Sequence, residues 1–195
     1  MERTNAYSLL DFLDNSPCNF FATATIQRHL DDNGFHELKQ SERWNLEKGG
    51  KYYVKKNDTA IFGFVIGETP LDQSGFNMIS AHSDSPCFRI KPNPEMLADG
   101  VLKLNTEVYG GPILYTWFDR PLSLAGRVIV RNPQNPARPI TKLIDFASPV
   151  LIIPHLAIHF NRNVNAGNPL SKQKDMLPIA AIVSDSMSKN NFLID

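Results

Sequence analysis

The 195-residue sequence predicts an α/β fold: a helix-led α/β layer followed by a β-rich unit. Three observations predict it. Near the start, apolar residues recur at helical spacing. From Phe35 onward the pattern changes to short runs rich in β-branched and aromatic residues, separated by turn pairs. No further long amphipathic stretch follows before the region around His155. A single core in a chain of this length would bury roughly 70% of the unfolded surface, so size is no obstacle to folding.

The first helix is predicted from Ala6, Leu9, Leu10 and Leu13, which fall at i, i+3, i+4 and i+7 and form one apolar stripe that Asn15-Ser16-Pro17 ends. A second helix is expected from about Phe20 to Asp32, with Ala22, Ile26 and Leu30 on one face and Gly34 as its C-terminal cap. Gly49-Gly50 and Asn57-Asp58 are turn pairs that bound two strands, Lys51 to Lys55 and Thr59 to Ile66. The first alternates and the second is nearly all apolar, which predicts a half-exposed strand beside a buried one. After a polar loop, Phe76 to Ala81 reads as a buried strand that Pro86 stops. Ligands of open α/β sheets gather at the carboxyl ends of strands, which is where His82 would sit.

Lys91-Pro92-Asn93-Pro94, with two prolines in four residues, is expected to be a linker. Beyond it Val101 to Val108, Leu124 to Arg131 and Pro149 to Pro154 read as strands, and the proline-rich stretch 132–139 as a loop. The expected division is therefore an α/β part over residues 1–92 and a β-rich domain over 93–195.

Twenty basic residues balance twenty acidic ones with no long run of either sign, so the sequence points to neither nucleic acid nor a membrane surface as a partner. Small molecules, peptides or other protein chains are the expected partners. Two cysteines far apart, Cys18 and Cys87, argue against a disulfide framework and fit a reducing, cytoplasmic setting. No stretch approaches the ~20 apolar residues of a membrane-spanning helix.

Three stretches stand out for chemistry. In Ala81-His82-Ser83-Asp84-Ser85-Pro86, residues two apart in extended chain project to one side, so His82 and Asp84 could face one site. Two readings stand. His82 is a zinc ligand whose second ring nitrogen is held by the Asp84 carboxylate, or the segment is an ordinary strand end with an Asp-Ser-Pro turn. The second stretch is Glu107 to Gly111 followed by Thr116-Trp117-Phe118-Asp119-Arg120 and Leu124-Ala125-Gly126-Arg127. Its structural reading is a glycine turn, an Asp119-Arg120 ion pair and packed aromatics. The third is Ile153-Pro154-His155-Leu156-Ala157-Ile158-His159. On a helix its histidines would share a face at the spacing of a zinc pair, but Leu156 stands where the H-E-x-x-H pattern needs glutamate. The sequence contains no G-x-S-x-G elbow, phosphate loop or G-x-G-x-x-G fingerprint. Ser83 and Ser85 do not make a hydrolase triad with the adjacent His82, because triads are assembled from distant segments.

Together these three stretches resemble the aspartyl aminopeptidase family, cytosolic zinc exopeptidases that remove N-terminal acidic residues from peptides. The family's Ala-His-Thr-Asp-Ser-Pro-Cys is matched by Ala81 to Cys87 with Ser83 in place of threonine. Its Tyr-Gly-Gly, Thr-Trp-Phe-Asp-Arg and Leu-Ala-Gly-Arg-Val are matched by Tyr109 to Gly111, Thr116 to Arg120 and Leu124 to Val128. Its Ile-Pro-His-Leu-Ala-Ile-His is matched without change by Ile153 to His159.

The resemblance implies a partial zinc-exopeptidase α/β catalytic domain followed by a β-rich dimerisation domain. It implies that His82 is a ligand of one zinc in a two-zinc site, and that Asp84 orients or polarises that ligand. His159 would reach a neighbouring subunit's active site to hold the substrate and stabilise the tetrahedral intermediate, with His155 structural. It further implies a peptide substrate and a homo-oligomer, a tetrahedral dodecamer built through such dimerisation domains. Family members are much longer, and their bridging aspartate, glutamate general base, further carboxylate ligands and final histidine fall after the position of Asp195. The expectation is an N-terminal fragment that is inactive by itself. The alternative is a non-catalytic assembly or regulatory module that keeps the dimerisation surface.

Overall fold

A computed structural model describes residues 2–183 and 192–193. The chain divides into two compact units, each discontinuous in sequence: Met1–Ser85 with Ala125–Asp145, and Pro86–Leu124 with Phe146–Asp195.

The first unit opens with α1 (Glu2–Asp14) and α2 (Asn19–Asp32). Both helices lie where their apolar spacing predicts. The end of α2 is a Schellman motif, in which the Gly34 N–H donates to the Asp31 carbonyl and the Phe35 N–H to that of Leu30, both at 3.0 Å. Gly34 takes φ +77°, which glycine adopts without the steric cost a Cβ would impose. The α1 stripe forms its helix, but Leu9, Leu10 and Leu13 stay exposed among the described residues.

Strands β1 (His36–Glu37), β2 (Lys51–Lys56) and β3 (Ala60–Val65) form a sheet in that order. The antiparallel β2–β3 register runs from Lys51↔Val65 to Lys56↔Ala60. Its turn is made by Asn57 and Asp58, both at positive φ, a conformation in which Asn and Asp are enriched. The expected burial order is reversed. Tyr52 and Tyr53 of β2 are buried, whereas Phe62 and Val65 of β3 are exposed. The reason is position: β2 is central and β3 is an edge.

α2 packs against this sheet, with Leu30 beside Gly63, where an added Cβ would lie 3.3 Å from the leucine Cδ2. At the same contact the Tyr53 hydroxyl donates to Asp31 Oδ1 at 2.8 Å and accepts from Gln27 Nε2 at 3.1 Å. A four-residue helix, α3 (Leu71–Ser74), follows β3.

The buried strand expected over Phe76 to Ala81 is not formed. The segment has no regular structure; Phe76 is 64% exposed, Met78 78% and Ile79 fully so. A strand needs a ladder partner and an apolar face to cover it, and no described strand supplies them here. The hairpin β6 (Ala125–Val130) and β7 (Ile140–Asp145) completes the first unit. From β6 the Arg127 guanidinium lies 4.4 Å from the centre of the Phe20 ring and donates to the Asn57 carbonyl at 2.9 Å.

In the second unit β4 (Cys87–Ala98), β5 (Val101–Tyr109) and β8 (Ile179–Ile182) form an antiparallel sheet in that order. The linker expected at 91–94 lies inside β4. Its two prolines, which cannot donate to a ladder, fall at a break in the β4–β5 register between Ile90 and Glu95, and Asn93 there takes φ +53°. β5 alternates, burying Leu102, Leu104 and Thr106, and the other buried apolar residues of this unit include Leu151, Ile153 and Met176. The strand expected from Pro149 to Pro154 is present only as isolated bridges, Leu122↔Leu151, Phe118↔Ile153 and Ile152↔Ile179. Among the described residues no helix is long and apolar enough to cross a membrane, and neither Cys18 nor Cys87 is in a disulfide.

Candidate functional site

The segment Ser80 to Ser85 follows the exposed apolar run as irregular chain. One anchor is clear: the Ser83 hydroxyl donates to the Thr59 carbonyl at 2.9 Å, tying the segment to the β2–β3 turn. On either side of that serine, His82 Nδ1 and Asp84 Oδ1 approach to 3.1 Å. The i, i+2 spacing thus brings the pair together although no strand forms. A carboxylate accepts and does not donate, so the contact selects the tautomer with the proton on Nδ1 and leaves the Nε2 lone pair directed away from Asp84. The His82 side chain is 93% exposed and that of Asp84 32%.

This arrangement has the form of a metal-ligand histidine with its orienting carboxylate: one nitrogen open for the metal, the other held. The donor set therefore fits one corner of a zinc site. Among the described residues no group of three or more histidines, cysteines or carboxylates is placed to hold a metal ion. His82 and Asp84 belong to the first unit and His159 to the second.

In the second unit the Tyr-Gly-Gly stretch lies beside the end of the first motif. Cys87 pairs with Tyr109 across the β4–β5 ladder, and Gly110, at φ +77°, sits against Pro86, whose Cα would be 3.5 Å from an added Cβ. Glycine meets both demands here, a left-handed backbone and a close neighbour. The Arg89 guanidinium stacks 3.8 Å from the centre of the Tyr109 ring. The next residues form a short 3-10 helix, Leu114–Trp117, with Trp117 edge-on to Phe88 of β4 at 4.7 Å.

His155 and His159 do not lie on a helix. Residues 154–157 have no regular structure and 158–160 form a turn, so the helical face that would align the two histidines is absent. His155 is half-buried, its ring edge-on to Phe118 at 4.6 Å, and its Nδ1 lies 2.9 Å from the Leu156 carbonyl. His159 is exposed.

Asp119 and Arg120 do not form the ion pair that the structural reading expected. Instead Asp119 Oδ1 accepts the His155 backbone N–H at 2.9 Å, while the Asp119 N–H donates to the Ile153 carbonyl at the same distance. This link between the second and third motifs was missed in the sequence. The only signal was an aspartate, a residue tolerant of left-handed backbone, in the turn after Phe118.

A family model described as aminopeptidase I zinc metalloprotease (M18) matches residues 12–192. A probable M18 family aminopeptidase 2 of Clostridium novyi is 53% identical over 190 residues, covering 97% of this chain and 44% of that protein. The protein of the same description from Clostridium acetobutylicum is 50% identical over the same coverage. Among solved structures, the Ape4 and Nbr1 complex superposes with TM-score 0.86 at 34% identity, covering 97% of this chain and 35% of that one. Chaetomium thermophilum mApe1 gives 0.81 at 31% identity, covering 90% and 40%. The S. cerevisiae mApe1 structure, described as a dodecamer, shares the fold with TM-score 0.74 at 23% identity, covering 92% and 39%. The chain spans less than half the length of the curated relatives it matches.

Proposed function

The chain belongs to the aminopeptidase I zinc metalloprotease (M18) family, and from that premise we propose that it is the N-terminal portion of a zinc aminopeptidase that removes acidic N-terminal residues from peptides. The observation that carries the reading is the His82–Asp84 pair, with Nδ1 held at 3.1 Å and Nε2 left open. His82 would hold one ion of a two-zinc site through Nε2, and Asp84 would fix the ring's tautomer and direction. Zinc, when bound, supplies an activated water and polarises the peptide carbonyl.

The roles then divide near residue 92, with 1–92 serving catalysis and 93–195 assembly. The exposed His159 is proposed to reach a neighbouring subunit's active site, where its imidazole donates a hydrogen bond to the substrate carbonyl oxygen as charge develops there. That role requires a homo-oligomer, proposed to be a dodecamer built from dimers. A reducing, cytoplasmic location is proposed from the two cysteines, far apart in the sequence and in no disulfide-framework spacing.

The test is peptidase activity of the complete enzyme on matched peptides beginning with Asp, Glu or Leu. The expected result is release of the acidic residue, abolished by a chelator and restored by zinc. A zinc-loaded enzyme without peptidase activity, or one that prefers the leucine peptide, contradicts the proposal.

A second reading, a non-catalytic assembly module, is favoured by the lack of any three-donor group among the described residues. Reading the coding sequence past Asp195 separates the two. An in-frame continuation supplying further acidic ligands and a late histidine supports the enzyme; a stop codon there, with an oligomeric and zinc-free chain, supports the module.

A further inference from the structure

The exposed segment that carries His159 is held at its start by the Asp119 carboxylate, which accepts the His155 N–H, and we propose that Asp119 is a positioning residue for His159. The inference rests on the proposed role of His159 at the substrate and adds to it the residue that sets where the imidazole can go.

The holding point is built by both backbone and side chain. Leu122 and Leu151 exchange backbone hydrogen bonds, at 2.9 Å from the Leu122 N–H and 3.0 Å from the Leu151 N–H, and Ile153 is buried. These contacts bring the chain up to Pro154 as part of the core. At that point Asp119 donates its N–H to the Ile153 carbonyl and accepts the His155 N–H on Oδ1, each at 2.9 Å. It therefore brackets Pro154 from both sides.

Asp119 does this with φ +54°, a left-handed conformation that costs a non-glycine residue strain and persists where surrounding contacts over-determine it. The edge-on packing of Phe118 against the His155 ring holds the same turn. Beyond His155 the Phe160 N–H donates to the Ala157 carbonyl and the Asn161 N–H to that of Ile158, both local bonds, and residues 156–160 are exposed. Asp119, with Phe118 against the ring, thus holds the chain at His155, four residues before the imidazole of His159.

Two substitutions separate the side-chain acceptor from the backbone. Asp119→Gly keeps the left-handed conformation and removes the acceptor; Asp119→Asn keeps an Oδ1 acceptor and tolerates the same φ. In this 195-residue chain, hydrogen exchange at the His155 amide should speed about tenfold in Asp119→Gly and change little in Asp119→Asn. In the complete zinc-loaded enzyme, Asp119→Gly should lower kcat about tenfold with zinc content and oligomer mass unchanged, and Asp119→Asn should restore most of it. In a His159→Ala background the glycine variant should cost nothing further, because a positioning residue has no effect once its target is gone.

Independent, multiplying losses from the two sites would overturn the proposal. So would equal damage from Asn and Gly, or unchanged kcat in Asp119→Gly while His159→Ala is impaired. If His159→Ala itself retains full activity, the proposed role of His159 fails first and the positioning role falls with it. Should the glycine variant not fold, the asparagine variant still decides: its His155 protection and kcat must stay close to wild type.

Discussion

His82 Nδ1 stands 3.1 Å from Asp84 Oδ1 across a single serine, and that serine is tied through its hydroxyl to the Thr59 carbonyl. The Ser83 bond anchors the pair to the β2–β3 turn. In the orienting role proposed for Asp84, a carboxylate tunes metal affinity without binding the metal itself. In the complete enzyme, Asp84→Asn is expected to weaken zinc about 10–100-fold, measured by competition with a chromogenic chelator. Unchanged zinc affinity would remove Asp84 from the role assigned to it.

Tyr53 supplies a prediction for the α2–sheet contact. The residue is 2% exposed, and its hydroxyl bonds to Asp31 and Gln27. Burial, followed by the hydrogen bond to Asp31, pushes its pKa up to about 12 from 10. The neutral phenol is therefore the form the fold favours. Its contribution is fully present below pH 10 and is lost as pH rises from 10 through 12, because the unfolded chain ionises first. Tyr53→Phe should cost about 1–2 kcal/mol near neutral pH and flatten the alkaline decline between pH 10 and 12. Urea titrations across that range show whether it does.

Arg127, inside the Leu-Ala-Gly-Arg-Val stretch, has a structural task. It stacks on Phe20 at 4.4 Å, donates to the Asn57 carbonyl at 2.9 Å and lies 3.8 Å from Asp58. Arg127→Ala should destabilise the β6–β7 hairpin by about 1–2 kcal/mol, and lysine should recover only part of it because it lacks the planar group that stacks. Faster amide exchange confined to 125–145 is the expected signature; uniform exchange across the first unit would speak against it.

Gly63 tests the packing of α2. Its added Cβ would press Leu30 Cδ2 at 3.3 Å, the end of a flexible side chain, so alanine should be tolerated with a small shift. Valine at the same position should cost about 1–3 kcal/mol by overpacking. Thermal unfolding of the two variants distinguishes the outcomes, and equal stability would show that Leu30 has room to move.

The helices and the turns were legible in the sequence because their signals are local. The α1 and α2 spacing, the Gly34 cap and the Asn57-Asp58 turn all depend on residues within a few positions of one another. What sequence could not show was which strand lies in the middle. Apolar content marked β3 for burial, but centrality goes to β2, and β3 stays exposed at the edge. For the same reason Phe76 to Ala81 carries a strand's composition without a strand's partners. Proline spacing suggested a linker at 91–94, whereas a long hairpin absorbs both prolines at a register break.

The site divides likewise. His82 and Asp84 were readable because i, i+2 geometry is short-range. The Asp119–His155 bond joins residues 36 apart, and no local pattern announces it.

The proposed zinc-ligand role of His82 is tested by zinc content and turnover of His82→Ala in the complete enzyme. The variant is expected to lose bound zinc and with it peptide hydrolysis, while folding and oligomer mass are kept. A variant that retains wild-type zinc stoichiometry and turnover would contradict it.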